Sequence, residues 1–178
     1  MPADGPSDAD TWRAYLATAL PGWTGREPAT EDAIAAAEQR LGVRLPPSYR
    51  SFLLVSNGGE NLDGPDDDSS PLFSLLPVEE IVRFQDDMSE LIDAWDHLDE
   101  DQPELRSAMR ASILIADGGD GAYWYLDPSE TEDWEWRAWR WGAGDGLEPE
   151  PAPSFAAAVA AAVADELDED DDEDDELD

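Results

Sequence analysis

The chain has no cysteine, no lysine and a single histidine, His97. Without cysteine, neither a disulfide framework nor a thiolate metal site can form, and thiol catalysis is excluded. One histidine excludes multi-histidine metal centres. A Ser-His-Asp arrangement would have to use His97, which sits between Asp96 and Leu98 at the expected end of a helix, and no serine stands in a nucleophile-elbow context. A surface or capping role for His97 is the simpler reading. Long apolar runs are also missing. Phe155 to Ala164 is too short and too rich in alanine to cross a bilayer, and no signal peptide or lipid-attachment motif is present. The expectation is a soluble, cytoplasmic protein. Positive charge is scarce: ten arginines face 45 acidic residues, for a formal net charge of −35. Such a chain is repelled by nucleic-acid phosphates and by anionic membranes, and it attracts basic proteins.

What is present is aromatic mass and helical periodicity. With 178 residues and eight tryptophans, the chain can build one sizeable core, most simply as one domain with appendages. Met1 to Asp10 is small, polar and acidic, and reads as disordered. Trp12, Tyr15, Leu16, Ala19 and Leu20 recur at helical spacing, and Pro21-Gly22 ends that helix. Trp23 to Pro28 reads as a connector. Ile34, Ala37 and Leu41 form the apolar face of a second helix, with Thr30 as its cap and Gly42 as its left-handed stop. Pro46-Pro47 opens a third, which carries Tyr49, Phe52, Leu53 and Val55 and closes at Asn57-Gly58-Gly59.

The order Glu38, Leu41-Gly42, Leu45-Pro46, Tyr49, Phe52-Leu53, Asn57-Gly58-Gly59 resembles the entry motif of the SUKH superfamily, the Smi/Knr-type domains. Several spaced elements match together, and the resemblance extends to about residue 165. The first thirty residues and the acidic end lie outside it. The resemblance implies a non-enzymatic binding module with no catalytic, cofactor or metal residues to carry over. In bacteria such domains commonly serve as immunity proteins that neutralise a secreted toxin, often a nuclease or deaminase; the fungal branch suggests an intracellular scaffold or regulator instead. The motif residues Glu38, Leu45, Pro46, Tyr49, Phe52, Asn57, Gly58 and Gly59 are expected to be structural.

Beyond the motif, Glu60 to Ser70 reads as an exposed loop and Leu72 to Leu76 as a strand. Pro77 is expected to open a helix with Val78, Ile81 and Val82 on one face, and Met88, Leu91, Trp95 and Leu98 continue helical spacing. Ser112 to Ala116 and Ala122 to Asp127 read as strands of a hairpin around Asp117-Gly118-Gly119-Asp120-Gly121, with Asp127-Pro128-Ser129 turning the chain again. That glycine-rich turn lacks EF-hand ligand spacing and a P-loop lysine. Trp134 to Trp141 reads as a third strand. Its tryptophans change parity near Ala138, which calls for a bulge or for cover on both faces. Gly142 to Pro153 is a loop, and Ser154 caps a closing helix with Phe155, Val159 and Val163 on one side. From Asp165 to Asp178, 12 of 14 residues are acidic, which leaves −23 for the rest; that end should stay solvated.

The expected architecture is α+β: N-terminal helices, a small mainly antiparallel sheet and a closing helix. The expected division is an N-terminal extension with one helix (1–29), a SUKH-like domain (30–164) and an acidic disordered tail (165–178). The expected partner is a basic protein, most simply a toxin, with no cofactor, nucleic acid or membrane. Trp, Tyr and Arg are enriched at binding hot spots, so Trp124, Trp134, Trp136 and Trp139 are contact candidates, though core packing competes for each. The acidic candidates are Asp66, Asp67, Asp68, Asp117 and Asp120. A carboxylate-pair hydrolase is the weakest alternative, since abundant acids single out no pair.

Overall fold

A computed structural model describes residues 5–61, 73–87, 109–117, 123–142, 146–147 and 151–173. Asp66, Asp67, Asp68, Asp120, His97 and the helix expected to run to about residue 98 lie outside these.

The first helix, α1 (Ala9–Ala19), starts earlier than the apolar spacing predicts because Asp8 caps it. The Asp8 carboxylate accepts the Asp10 and Thr11 N–H groups, both at 2.9 Å. The Thr11 N–H bond is the larger cause holding this carboxyl below its ordinary range. Residues 5–10, expected to be disordered, are thus tied down: Pro6 is buried and the Ser7 carbonyl accepts the Ser51 hydroxyl. The face of α1 is the one the sequence spacing names, with Trp12 at 0%, Leu20 at 2% and Leu16 at 9% exposure.

Trp23–Gly25, expected as a connector, is a short strand, β1. Helices α2 (Glu31–Leu41) and α3 (Pro47–Leu53) follow with the anticipated punctuation. Thr30 Oγ1 accepts the Ala33 N–H at 3.1 Å, and Gly42 ends α2 at φ 67°. Pro46 is the N-cap of α3 and Pro47 its first residue. The helix stops at Leu53, short of the expected glycine pair, and Asn57-Gly58-Gly59 leads into strand β2 (Gly59–Asn61) instead. The Asn57 side chain explains the change. Its Oδ1 accepts the Val78 N–H at 2.8 Å and its Nδ2 donates to Glu79 at 3.0 Å, so it bridges to the next segment.

Strand β3 (Ser74–Leu75) precedes Pro77. The helix expected after Pro77 is a single turn followed by strand β4 (Val82–Arg83) and a short helix, α4 (Phe84–Asp87). Two features stop the helix. Arg40 gathers the carbonyls of Val78, Glu79 and Ile81, and Val82-Arg83 pairs with the β5 edge (Ile113–Asp117). Strand β5 is buried on both sides, which fits its unbroken apolar run.

Strand β6 (Tyr123–Glu132) pairs antiparallel with β5, and Asp117 opposite Tyr123 closes the expected hairpin. The turn expected at Asp127-Pro128-Ser129 is an irregularity inside β6. The buried Asp127 carboxylate accepts both the Ser129 N–H (2.8 Å) and its hydroxyl (2.6 Å), and register shifts between Asp127 and Thr131 without reversing the chain. Reversal comes at Asp133-Trp134, a two-residue turn before β7 (Glu135–Gly142). Strand β8 (Gly146–Leu147) pairs with β7, and Ala152 bridges Ala138.

Among the described residues one antiparallel sheet runs β1-β2-β3-β5-β6-β7-β8, with β4 paired to β5 off that path. The fold is α+β. The closing helix, α5 (Phe155–Glu173), is capped by Ser154, whose Oγ accepts the Ala157 N–H at 3.1 Å. Its first turns are sealed into the core: Phe155, Ala156, Ala158 and Val159 are all at most 1% exposed. The backbone stays helical to Glu173, into the segment whose composition predicts disordered chain. Propagation from a packed first half is easier than nucleation, and it carries the helix onward. Residues 174–178 lie outside the described residues.

The parity change in β7 needs no bulge in that strand, because both faces are covered. Trp136 and Ala138 join the main core with α1, α3 and α5, while Trp139 and Trp141 pack on a second cluster of Phe84, Met109, Leu114 and Tyr125.

Candidate functional site

Ser48 ties three distant segments together. It is the second residue of α3 and is 3% exposed. Its carbonyl accepts the Trp12 indole N–H at 3.0 Å. Its own N–H and hydroxyl donate to the two oxygens of Glu135, at 2.8 and 2.6 Å. A carboxylate at the first turn of a helix satisfies a donor that has no partner within the helix, and it faces the positive end of the helix dipole. Glu135 opens β7, so this clamp sets the β6–β7 turn beside α3. We expect Glu135→Ala to lower unfolding free energy by about 1–2 kcal/mol, as loss of a helix cap does, and Glu135→Gln to lower it less. Urea denaturation of the three proteins checks the order.

The clamp creates a groove between α3 and the turn, with a volume of about 650 Å³. Leu45, Pro47, Ser51 and Leu54 form one side and Trp134 and Trp136 the other, with Arg44 and Arg50 completing the lining. Arg50 is committed. It donates to Glu38 at 2.9 Å and also bonds Glu31, while Glu38 in turn accepts the Leu45 N–H at 3.0 Å. Glu38 thereby fastens the turn from α2 to α3. Arg44 is exposed and makes no side-chain hydrogen bond or ion pair with another described residue.

Trp134 is 82% exposed. Both turn residues hold positive φ, 52° at Asp133 and 68° at Trp134. A two-residue hairpin of this kind demands left-handed backbone at both positions and ordinarily draws Asn-Gly or Asp-Gly. A bulky residue there is strained, and exposure leaves Trp134 little packing to offset the strain.

The other tryptophan candidates have different surroundings. Trp124 is 5% exposed and packs against Phe73, with the Arg140 guanidinium 6.0 Å from its ring centroid. Trp136 is 6% exposed and lines the groove beside Trp134. Trp139 is half-buried on the opposite face of the sheet. Asp117 is exposed at the end of β5. The structure therefore brings Trp134 and Trp136 to one groove and sends Trp124, Trp139 and Asp117 elsewhere. Arg44, Arg50 and Glu135 have no signal of their own in the sequence. Trp134, expected to begin the third strand, sits instead in the turn before it, because Glu132 pairs with Glu135.

The motif residues sit in the frame around the groove. Tyr49 is fully buried against Phe155 and Phe52, and burial raises its phenol well above the ordinary tyrosine range. Gly58 and Gly59 hold φ of 77° and 140° where β2 approaches β1 and β3. Among the described residues no group of three or more His, Asp or Glu side chains converges to hold a metal ion, and no helix is long and apolar enough to cross a membrane.

Residues 28–160 match the family described as SMI1 / KNR4 family (SUKH-1). A stretch of 61 residues is 34% identical to a Bacillus subtilis (strain 168) protein named only as uncharacterized protein YnaB. That stretch covers 34% of this chain and 37% of the relative, so the match spans little more than a third of that protein.

Proposed function

Since the chain belongs to the SMI1/KNR4 (SUKH-1) family, we propose that it acts by binding another protein without catalysis, as an immunity protein against a basic toxin. The observation that carries this reading is the formal charge of −35, with ten arginines against 45 carboxylates. Toxins that act on nucleic acid tend to present cationic surfaces to phosphates. An anionic protein finds such a surface quickly and covers it. SUKH domains commonly fill this role. A nuclease or a nucleic-acid deaminase is the class of toxin the charge favours. The groove beside Trp134 supplies what charge alone lacks, an apolar anchor with Trp and Arg at its rim.

Co-expression tests the proposal. The open reading frame adjacent to this gene is induced in a host with and without the chain. Survival only with the chain, together with a stable complex of the two purified proteins, is the expected outcome. Recovery of housekeeping proteins and no toxin, with no rescue, favours the scaffold reading. Substrate turnover by the purified chain, lost on changing one carboxylate, contradicts both.

A further inference from the structure

We infer that the groove between α3 and the β6–β7 turn receives a partner segment in which an apolar side chain stands next to a carboxylate, a local polarity opposite to that of the chain as a whole. The inference rests on the protein-binding reading above and names the chemistry of its anchor. Among the described residues the lining carries two guanidinium groups and no carboxylate, in a chain where acids outnumber arginines 45 to 10; the carboxylates beside it, Glu31, Glu38 and Glu135, are each engaged by Arg50 or Ser48. Arg50 is already taken up by Glu31 and Glu38, whereas Arg44 is exposed and its guanidinium bonds no other described residue. Arg44 is therefore the charge left to meet an incoming oxygen, and Leu45, Leu54 and the Trp134 ring offer the apolar contact.

The two scales of charge are compatible. Attraction between exposed charges is screened beyond about 8 Å at physiological salt, so a bound carboxylate is governed by Arg44 at contact. The net charge acts earlier, on the approach of the whole partner. Trp134 supplies the second observation. It keeps a strained left-handed backbone at φ 68° while 82% exposed, although glycine would hold the same turn without strain. Strain at an exposed aromatic that the turn itself does not require fits a side chain placed for contact.

A random 12-residue peptide library displayed on phage is the probe, selected against the full chain. The expected result is enrichment of sequences with Asp or Glu within two residues of an aromatic, aliphatic or proline residue. Binding of the selected peptides should fall at least tenfold in Trp134→Gly and in Arg44→Glu, and stay within twofold in Arg26→Glu, which makes the same charge change at an exposed arginine that does not line the groove. Trp134→Gly should melt at the same temperature as the parent or higher, which separates lost contact from lost fold. No enrichment, basic consensus sequences, or equal binding by all variants overturns the inference. The co-expression test is independent. If the parent chain rescues cells and both groove variants rescue equally, the groove assignment fails and the immunity reading stands. If the parent never rescues while the peptides behave as expected, the reverse holds.

Discussion

Trp12→Ala will cost about 3–5 kcal/mol of unfolding free energy, although residue 12 lies before the segment 28–160 that matches the family. The indole is completely buried. It packs edge-on to Phe52 with centroids 5.2 Å apart, tilts against Phe155 at 5.5 Å, and meets Tyr15 at 6.0 Å. Truncation removes that aromatic volume, opens a cavity at the junction of α1, α3 and α5, and removes the indole N–H bond to the Ser48 carbonyl. Domains of this size are typically stable by about 5–15 kcal/mol, so the loss is a large share of the total. Trp12→Phe should retain most of the packing and cost markedly less. Urea unfolding checks both. A loss under about 1 kcal/mol for the alanine variant means that α1 is an appendage and not a wall of the core.

Gly58→Ala will destabilise by on the order of 3 kcal/mol. The backbone there has φ 77°, a region that non-glycine residues enter only with strain. An added Cβ would lie 2.5 Å from the Leu75 carbonyl oxygen and 2.8 Å from the Leu76 carbonyl carbon. Both are main-chain atoms, so no rotamer change relieves the clash. Either β3 moves away from β2 or the turn after Ser56 reshapes. Ser56 adds a constraint, since its hydroxyl donates to the Gly58 carbonyl at 2.7 Å. Thermal unfolding measures the effect, and Gly42→Ala is the comparison. Gly42 has a similar φ of 67°, but its Cβ would come no closer than 3.9 Å to the nearest neighbour, a flexible arginine end. The difference between the two variants isolates the cost of crowding from the cost of φ.

Much of the helical layer was legible because its signals are local. The Trp12-Tyr15-Leu16-Ala19-Leu20 face, the Thr30 and Ser154 caps, the Gly42 stop and the Pro46-Pro47 entry each depend on residues within a few positions of one another. The misread segments are those decided by distant partners. Val82-Arg83 becomes a strand because β5 offers it an edge and Arg40 holds the preceding carbonyls. Trp23–Gly25 becomes a strand because β2 lies alongside. Asp127-Pro128-Ser129 looks like a turn and behaves as one locally, yet β7 keeps pairing beyond it as far as Glu132 opposite Glu135. The groove was hidden for the same reason. Its walls are joined by the Ser48–Glu135 clamp, which spans 87 residues. Of the tryptophans, periodicity could show that they divide between faces; only the turn geometry singles out Trp134.

If this anionic chain works by covering a cationic protein without chemistry, charge must govern how fast the two meet. The direct test is the association rate constant of the full chain with the product of the adjacent open reading frame, measured by stopped flow from about 20 mM to 500 mM salt, alongside the dissociation rate. The account predicts that association falls on the order of a hundredfold across that range while dissociation changes little, as steering by net charge requires. An association rate indifferent to salt, or one that rises with it, would contradict the account.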